Sequence, residues 1–251
     1  MSPAMSRMAY FLDIDGTLVD FADSPAAVHL ALSHRRSLAR LRRRAGGAVA
    51  IVSGRSIADI DRIIPRTQIP AAGQHGVERR NAHGRYSRVA STHAALAPVR
   101  ERLADAVARH PGLLLEDKGC SLALHYRRSP RLAAYAHRLV RSQLASLNGA
   151  YCAQRGNRVV ELKPAGRDKG RAVLAFMKER PFRGRTPVFV GDDVTDEYGF
   201  EAVNSLGGVS VKVGGGNTVA TMRLRDVHAV WDWLAHGGAL PEEAATLRRA
   251  S

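Results

Sequence analysis

Apolar positions along this chain follow two different periods, and the places where one gives way to the other mark its elements. Residues 8–14 form a short apolar run that breaks into acids and a glycine, the pattern of a buried strand emptying into a loop. Residues 26–44 then carry leucine and alanine at helical spacing, closed by Gly46 and Gly47. A second apolar run at 48–52 ends in Ser53-Gly54-Arg55, a helical stretch reaches residue 64, and 69–72 is a third short strand. Later, helical text at 168–179 precedes a buried strand at 187–191 that runs into another acidic loop. A valine-rich strand lies within 208–216, and helices are expected at 226–235 and 241–249. Strands alternating with helices of this size predict an open, mostly parallel, Rossmann-like α/β sheet covered on both faces.

The middle of the chain reads differently. A glycine-turn hairpin is expected at 76–89, then a helix at 94–109, strands at 113–117 and 121–127, a helix at 131–147, and strands at 149–154 and 158–162. Helix-strand-strand-helix-strand-strand builds a two-layer α+β unit, a four-stranded sheet covered on one side. The expected organisation is a first core segment at 1–90, an inserted cap at 91–164 and a second core segment at 165–251.

Composition narrows the class. An apolar content of 45% excludes a mainly disordered chain. With no apolar run before Tyr10 and no stretch of membrane-spanning length, a soluble, cytoplasmic, monomeric protein is expected. Cys120 and Cys152, without a secretion signal, read as reduced thiols. The 38 basic against 23 acidic side chains leave a formal charge of +15, which favours anionic partners. Many of the arginines fall on helical text such as 35–44, where a solvated face accounts for them. No zinc-finger spacing or RNA-binding aromatic signature accompanies the charge, so no obligate nucleic acid is expected.

Three strand ends carry candidate chemistry, at the edge where open α/β sheets form their ligand crevice. Asp13 and Asp15 in DIDGTL offer one carboxylate to attack an electrophile and another to exchange protons. Ser53, in SGR, has a hydroxyl suited to a phosphate oxygen, and Arg55 either binds charge or ties the loop down. GDDVTDE concentrates Asp192, Asp193, Asp196 and Glu197, acids able to hold Mg²⁺. Lys169, at the start of the preceding helix, can neutralise a transferring phosphate.

Read in order, these signals resemble the haloacid dehalogenase superfamily of phosphatases. The resemblance implies that Asp13 is the nucleophile and Asp15 the general acid/base, with Ser53 and Lys169 binding phosphate. Mg²⁺ would be held by Asp13, the Asp15 carbonyl and Asp192, with Asp193 and Asp196 supporting its shell. Pro25, GQHGVE at 73–78, LEDKGCSLALHYR at 114–127, VVELKP at 159–164 and GDDVTDE extend the resemblance, over residues 10–235, to the trehalose-phosphate phosphatase family. That implies trehalose 6-phosphate as substrate. It also implies sugar contacts from Gln74, His75, Glu78, Glu116, Lys118, His125, Arg127 and Glu161, with His75 alternatively supporting the interdomain turn. Two other readings stay open, a phosphatase of a different sugar or metabolite phosphate, and a nucleic-acid-binding protein with an inactive α/β site.

Overall fold

A computed structural model describes residues 7–21, 28–65, 68–89 and 93–236. The first segment folds as β1 (Met8–Leu12), α1 (Leu32–Arg44), β2 (Val49–Val52), α2 (Ile57–Ile63), β3 (Ala71–Gly73) and the hairpin β4 (Glu78–Arg80) and β5 (Tyr86–Arg88). Next come α3 (His93–Arg109), β6 (Leu114–Asp117), β7 (Leu122–His125), α4 (Ala133–Gln143), β8 (Tyr151–Gly156) and β9 (Val159–Pro164). The chain then returns through α5 (Lys169–Met177), β10 (Thr186–Gly191), α6 (Glu197–Ser205), β11 (Val209–Val213), β12 (Met222–Leu224) and α7 (Val227–Ala235).

The larger sheet runs β12-β11-β10-β1-β2-β3-β4-β5, parallel from β12 to β3 and antiparallel at the last two strands. Alternation along β1 divides its side chains between the two faces. Tyr10 and Leu12 pack with Leu38 and Leu41 of α1, Ile60 of α2 and Trp231 of α7. Ala9 and Phe11 pack on the other face with Phe176 of α5, Phe182 and Phe200 of α6. Burial on both faces explains why these strands read as continuous apolar runs. The register places Leu12 beside both Ile51 and Val190, so β1, β2 and β10 end together and release their loops at one edge.

The second sheet is wholly antiparallel, in the order β6-β7-β9-β8. Leu122, Leu124, Val160 and Leu162 turn to one side and pack with Leu96 and Leu103 of α3 and Val140 of α4. Glu116, Ala123 and Glu161 are neighbours in register and so share the opposite face. This is the two-layer cap expected from the sequence.

Three expectations are corrected. The helix expected at 26–44 starts at Leu32. Val28 and Leu30 instead lie in non-helical chain, both buried with His29 exposed between them, because this two-residue alternation fills the core beneath the sheet. The strand expected at 121–127 ends at His125, where the Ser129 amide bonds to the Tyr126 carbonyl in a turn ahead of Pro130. The helix expected at 131–147 is α-helical only over Ala133–Gln143, flanked by tight 3₁₀ turns. The helix expected at 241–249, and Pro25, lie outside the described residues. Among those residues no helix is long and apolar enough to cross a membrane, and both cysteines are free.

One contact ties α7 to the loop after β1. Trp231 donates from its indole nitrogen to the Leu18 carbonyl at 2.9 Å, in a buried setting, and stacks on His34. Trp231→Phe leaves that carbonyl without its donor, so a stability loss of about 1–3 kcal/mol is expected in urea unfolding. An unchanged midpoint would show that α7 does not hold this loop.

Candidate active site

The loops released by β1 and β10 meet over the first residue of α5. Asp13 follows β1 directly, and its amide donates to the Val190 carbonyl at 3.0 Å. Lys169 opens α5, whose start is capped by the Asp168 side chain. Its ammonium lies 2.9 Å from Asp13 Oδ2 and 2.6 Å from Asp196 Oδ1. Asp196 is fully buried, and its other oxygen accepts from the amides of Asp192 and Asp193, at 3.0 and 2.9 Å. Oxygens of Asp13, Asp192 and Asp196 come within 4.8 Å of one another.

So many buried acids beside one lysine strain the local charge balance. Burial, and then the Asp196 charge, push Asp13 up to about 7 in spite of Lys169. Burial, followed by Asp13 and Asp196, pushes Asp192 up to about 8. Burial works against the Lys169 ammonium, but Asp13 and Asp196 outweigh it and hold that group above the ordinary lysine range. The two acidic loops also approach very closely. Gly16 has φ +72°, and a Cβ built on it would lie 2.3 Å from Asp192 Oδ2. The glycine of DIDGTL is therefore a requirement of this approach.

The remaining core candidates separate by contact. Asp15 turns its carboxylate to Arg55, which donates from Nε and Nη2 at 2.7 Å each. Ser53 is buried at the end of β2, and its hydroxyl accepts from the Arg55 amide at 3.3 Å. Asp193 lies outside the converging carboxylates, with Oδ2 3.6 Å from where a Cβ on Gly156 of the cap would sit.

The polar face of the cap meets the core across a buried junction. Lys118 donates to the Gly54 carbonyl at 3.2 Å and lies 3.6 Å from Glu161 Oε1. Glu161 is buried, accepts from Ser121 at 2.7 Å, and has Oε2 3.2 Å from His75 Nε2. Burial alone would raise the Glu161 carboxyl, but Lys118, His75 and Ser121 together hold it well below the usual range. Gln74 donates from its side chain to Glu78 and to the Lys118 carbonyl. Glu78 is buried and receives the Ile57 amide at 2.8 Å, so it anchors the start of α2. Glu116 pairs with His125 at 2.8 Å, and that bond draws its carboxyl down. Arg127 lies past the end of β7, exposed, with its guanidinium 5.7 Å from the ring centre of Phe21.

Three polar residues of this region were not among the sequence candidates. Ser121 is fully buried on Glu161, Lys163 is buried and donates to the Arg167 carbonyl, and Lys212 is buried and donates to the Asp192 carbonyl. A signal existed for Lys212, a lysine inside the otherwise apolar strand VSVKV.

The arrangement can be set beside known proteins. The trehalose-phosphatase family model matches residues 11–226. The chain belongs to the trehalose-phosphatase family. It is 42% identical over 240 residues to the trehalose-6-phosphate phosphatase of Escherichia coli K12, covering 93% of this chain and 88% of that one. It is 41% identical to a probable trehalose-phosphate phosphatase of Sinorhizobium fredii, covering 85% and 80%. The C-terminal domain of the Candida albicans trehalose-6-phosphate phosphatase shares the fold with a TM-score of 0.82 at 22% identity, over 94% of this chain and 93% of that one. Membership of the trehalose-phosphatase family places the chain in the haloacid dehalogenase superfamily, whose fold the sheet and cap reproduce.

The trehalose-phosphatase site suits a divalent cation. Three carboxylates converge, and Asp192 Oδ1 is buried without a hydrogen-bond partner among the described residues, an arrangement that a hard oxygen-seeking cation satisfies. A pH dependence follows. Asp13 and Asp192 hold protons more tightly in the folded chain than at their ordinary value of 3.8. Their protonation therefore favours the fold at low pH, and that contribution is lost as pH rises from about 4 to about 8. Thermal melts of metal-stripped protein should show Tm falling across this window, with added Mg²⁺ raising Tm strongly at pH 8 and weakly at pH 5. At 100 times its Kd the ion contributes about 2.7 kcal/mol. Asp192→Asn should remove most of that rise, and an equal Mg²⁺ effect at both pH values would contradict the assignment.

Proposed function

We propose that this chain is a Mg²⁺-dependent phosphatase that converts trehalose 6-phosphate to trehalose and phosphate through an aspartyl-phosphate on Asp13. The observation that carries the reading is the buried contact of Asp13 with Lys169, beside Asp192 and Asp196 and facing a polar cap, in a chain of this family.

Asp13 Oδ attacks phosphorus, forming an O–P bond as the bond to the sugar oxygen breaks. For this step Asp15 turns from Arg55 and enters protonated from solvent; it donates that proton to the leaving sugar oxygen, then takes one from the water that attacks the aspartyl-phosphate, freeing phosphate and restoring the Asp13 carboxylate. Lys169 and Ser53 hold the phosphate oxygens, and Lys169 also keeps Asp13 directed by its 2.9 Å contact. Without substrate, Arg55 holds the Asp15 carboxylate beside the Ser53 loop through its paired bonds. Asp13, the Asp15 carbonyl and Asp192 would hold Mg²⁺, with Asp193 and Asp196 supporting its shell, and the ion would supply charge that stabilises the phosphoryl group during transfer.

The cap, residues 91–164, recognises the sugar. Glu116, Lys118 and Glu161 share its polar face, and Lys118 and Glu161 already meet the core there. A substrate hydroxyl that these groups require leaves one of them unpaired when it is missing, which separates a disaccharide from a monosaccharide phosphate. His125 acts through Glu116, and Gln74 and Glu78 act through the junction backbone. The free thiols of Cys120 and Cys152 support a cytoplasmic setting.

The test is a comparison of kcat/KM for trehalose 6-phosphate, glucose 6-phosphate and sucrose 6-phosphate with Mg²⁺ present. Trehalose 6-phosphate should be preferred by about ten-fold or more. Glu116→Ala and Lys118→Ala should reduce that preference, and Asp13→Asn should lower turnover by about 10³-fold or more. Strong preference for a monosaccharide phosphate, retained in both cap variants, would move the assignment to another metabolite phosphate.

A further inference from the structure

Gln74 and His75 are consecutive residues in left-handed backbone, with φ of 48° and 55°. Such a conformation is unfavourable for side-chain-bearing residues and persists where surrounding contacts hold it. Here the contacts run in two directions. Toward the core, the His75 amide donates to the Ser53 carbonyl at 3.0 Å and the Gln74 amide to the Arg55 carbonyl at 2.8 Å, so both ends of the SGR loop hang from this pair. The imidazole lies against Gly54 so tightly that a Cβ there would be 2.8 Å from its Cε1 and Nε2. Toward the cap, His75 Nε2 meets Glu161 Oε2 at 3.2 Å, and the Gln74 side chain meets the Lys118 carbonyl at 3.2 Å.

We infer that His75 is a positioning residue that couples the phosphate-binding loop of the core to the sugar-reading carboxylate Glu161 of the cap. This rests on the phosphatase reading given above. Glu161 is held by Ser121 on its own sheet, by Lys118, a cap residue that also bonds to the Gly54 carbonyl, and by His75, the one of the three that belongs to the core and so fixes the carboxylate directly from the phosphate side. Burial keeps the imidazole below its ordinary pKa, so it is neutral and Nε2–H is the donor. A neutral donor can orient Glu161 without cancelling its charge, leaving the carboxylate able to accept from a sugar hydroxyl.

The relay makes His75 a determinant of specificity through distance. Phosphate is held by Ser53 and sugar by Glu161, and the ring between them sets the span that a sugar phosphate has to match. A phosphate ester too small to reach the cap would gain nothing from it.

The experiment measures kcat/KM for trehalose 6-phosphate and p-nitrophenyl phosphate in wild type, His75→Phe and His75→Gln. The phenylalanine keeps a ring against Gly54 and removes the donor, while the glutamine restores an N–H. His75→Phe should lower the ratio of the two kcat/KM values by about ten-fold, mainly through KM for the sugar phosphate, and His75→Gln should recover much of it. In a Glu161→Ala background the further effect of His75→Phe on the ratio should vanish. Should His75→Phe fail to fold, His75→Gln against wild type carries the test, with a smaller selective loss on the sugar phosphate expected and equal changes on both substrates counting against the relay. Equal losses on both substrates, or a ratio change undiminished without Glu161, would overturn the relay. If wild type shows no preference for trehalose 6-phosphate, the substrate reading fails, and the same ratio taken with the sugar phosphate actually preferred still decides the relay.

Discussion

The structure depends on one electrostatic constraint, the gathering of the Asp13, Asp192 and Asp196 carboxylates around the Lys169 ammonium at the carboxyl edge of the sheet. Lys169 touches Asp13 and Asp196, while Asp192 has a buried oxygen without a partner among the described residues. Charges taken from water this far are costly unless each is matched. The local architecture meets that demand in pieces. The Asp192 and Asp193 amides satisfy one oxygen of Asp196, α5 starts at Lys169 so that its ammonium reaches both acids, and Gly16 opens the space that Asp192 fills. The balance that remains is negative. A divalent cation would offset that charge, and so let a site lined by carboxylates accept an anionic phosphate.

The cap contributes a second demand of the same kind. Glu161 is buried in polar company drawn from both units, Ser121 and Lys118 from the cap and His75 from the core. Lys118 in turn bonds to the Gly54 carbonyl, within the loop that carries Ser53 and Arg55. The junction is therefore polar and directional, in contrast with the apolar interior of either layer. Such an interface holds geometry through hydrogen bonds that run from the cap to the Ser53 loop of the core, the feature on which the proposed sugar recognition rests.

The legibility of the sequence follows from these same physical features. Asp13, Ser53 and Asp192 stood out because each follows an apolar strand, and a strand buried on both faces leaves an unmistakable run. The helix-strand-strand-helix-strand-strand order foretold the cap for a similar reason. What periodicity could not settle was the choice among neighbours. GDDVTDE offers four acids, and only the tight turn after β10 brings Asp196, rather than Asp193, onto Lys169 and beside Asp13. Arg55 was open between binding charge and tying the loop, and the structure finds it on Asp15. Val28 and Leu30 were drawn into a helix because a short two-residue alternation is easily absorbed into adjacent helical text. Ser121 was hidden by its small size, since its role comes from the pairing of β7 with β9 and from no local pattern.

The assignment of Asp13 as the group that receives phosphate is the claim on which the rest turns. Rapid quenching of the enzyme with trehalose 6-phosphate and Mg²⁺, followed by proteolysis and mass spectrometry, reads it directly. A phosphoryl group is expected on the peptide that carries Asp13, formed and consumed fast enough to lie on the path of turnover and absent from Asp13→Asn. A kinetically competent adduct on another residue, or full turnover by Asp13→Asn, would contradict it.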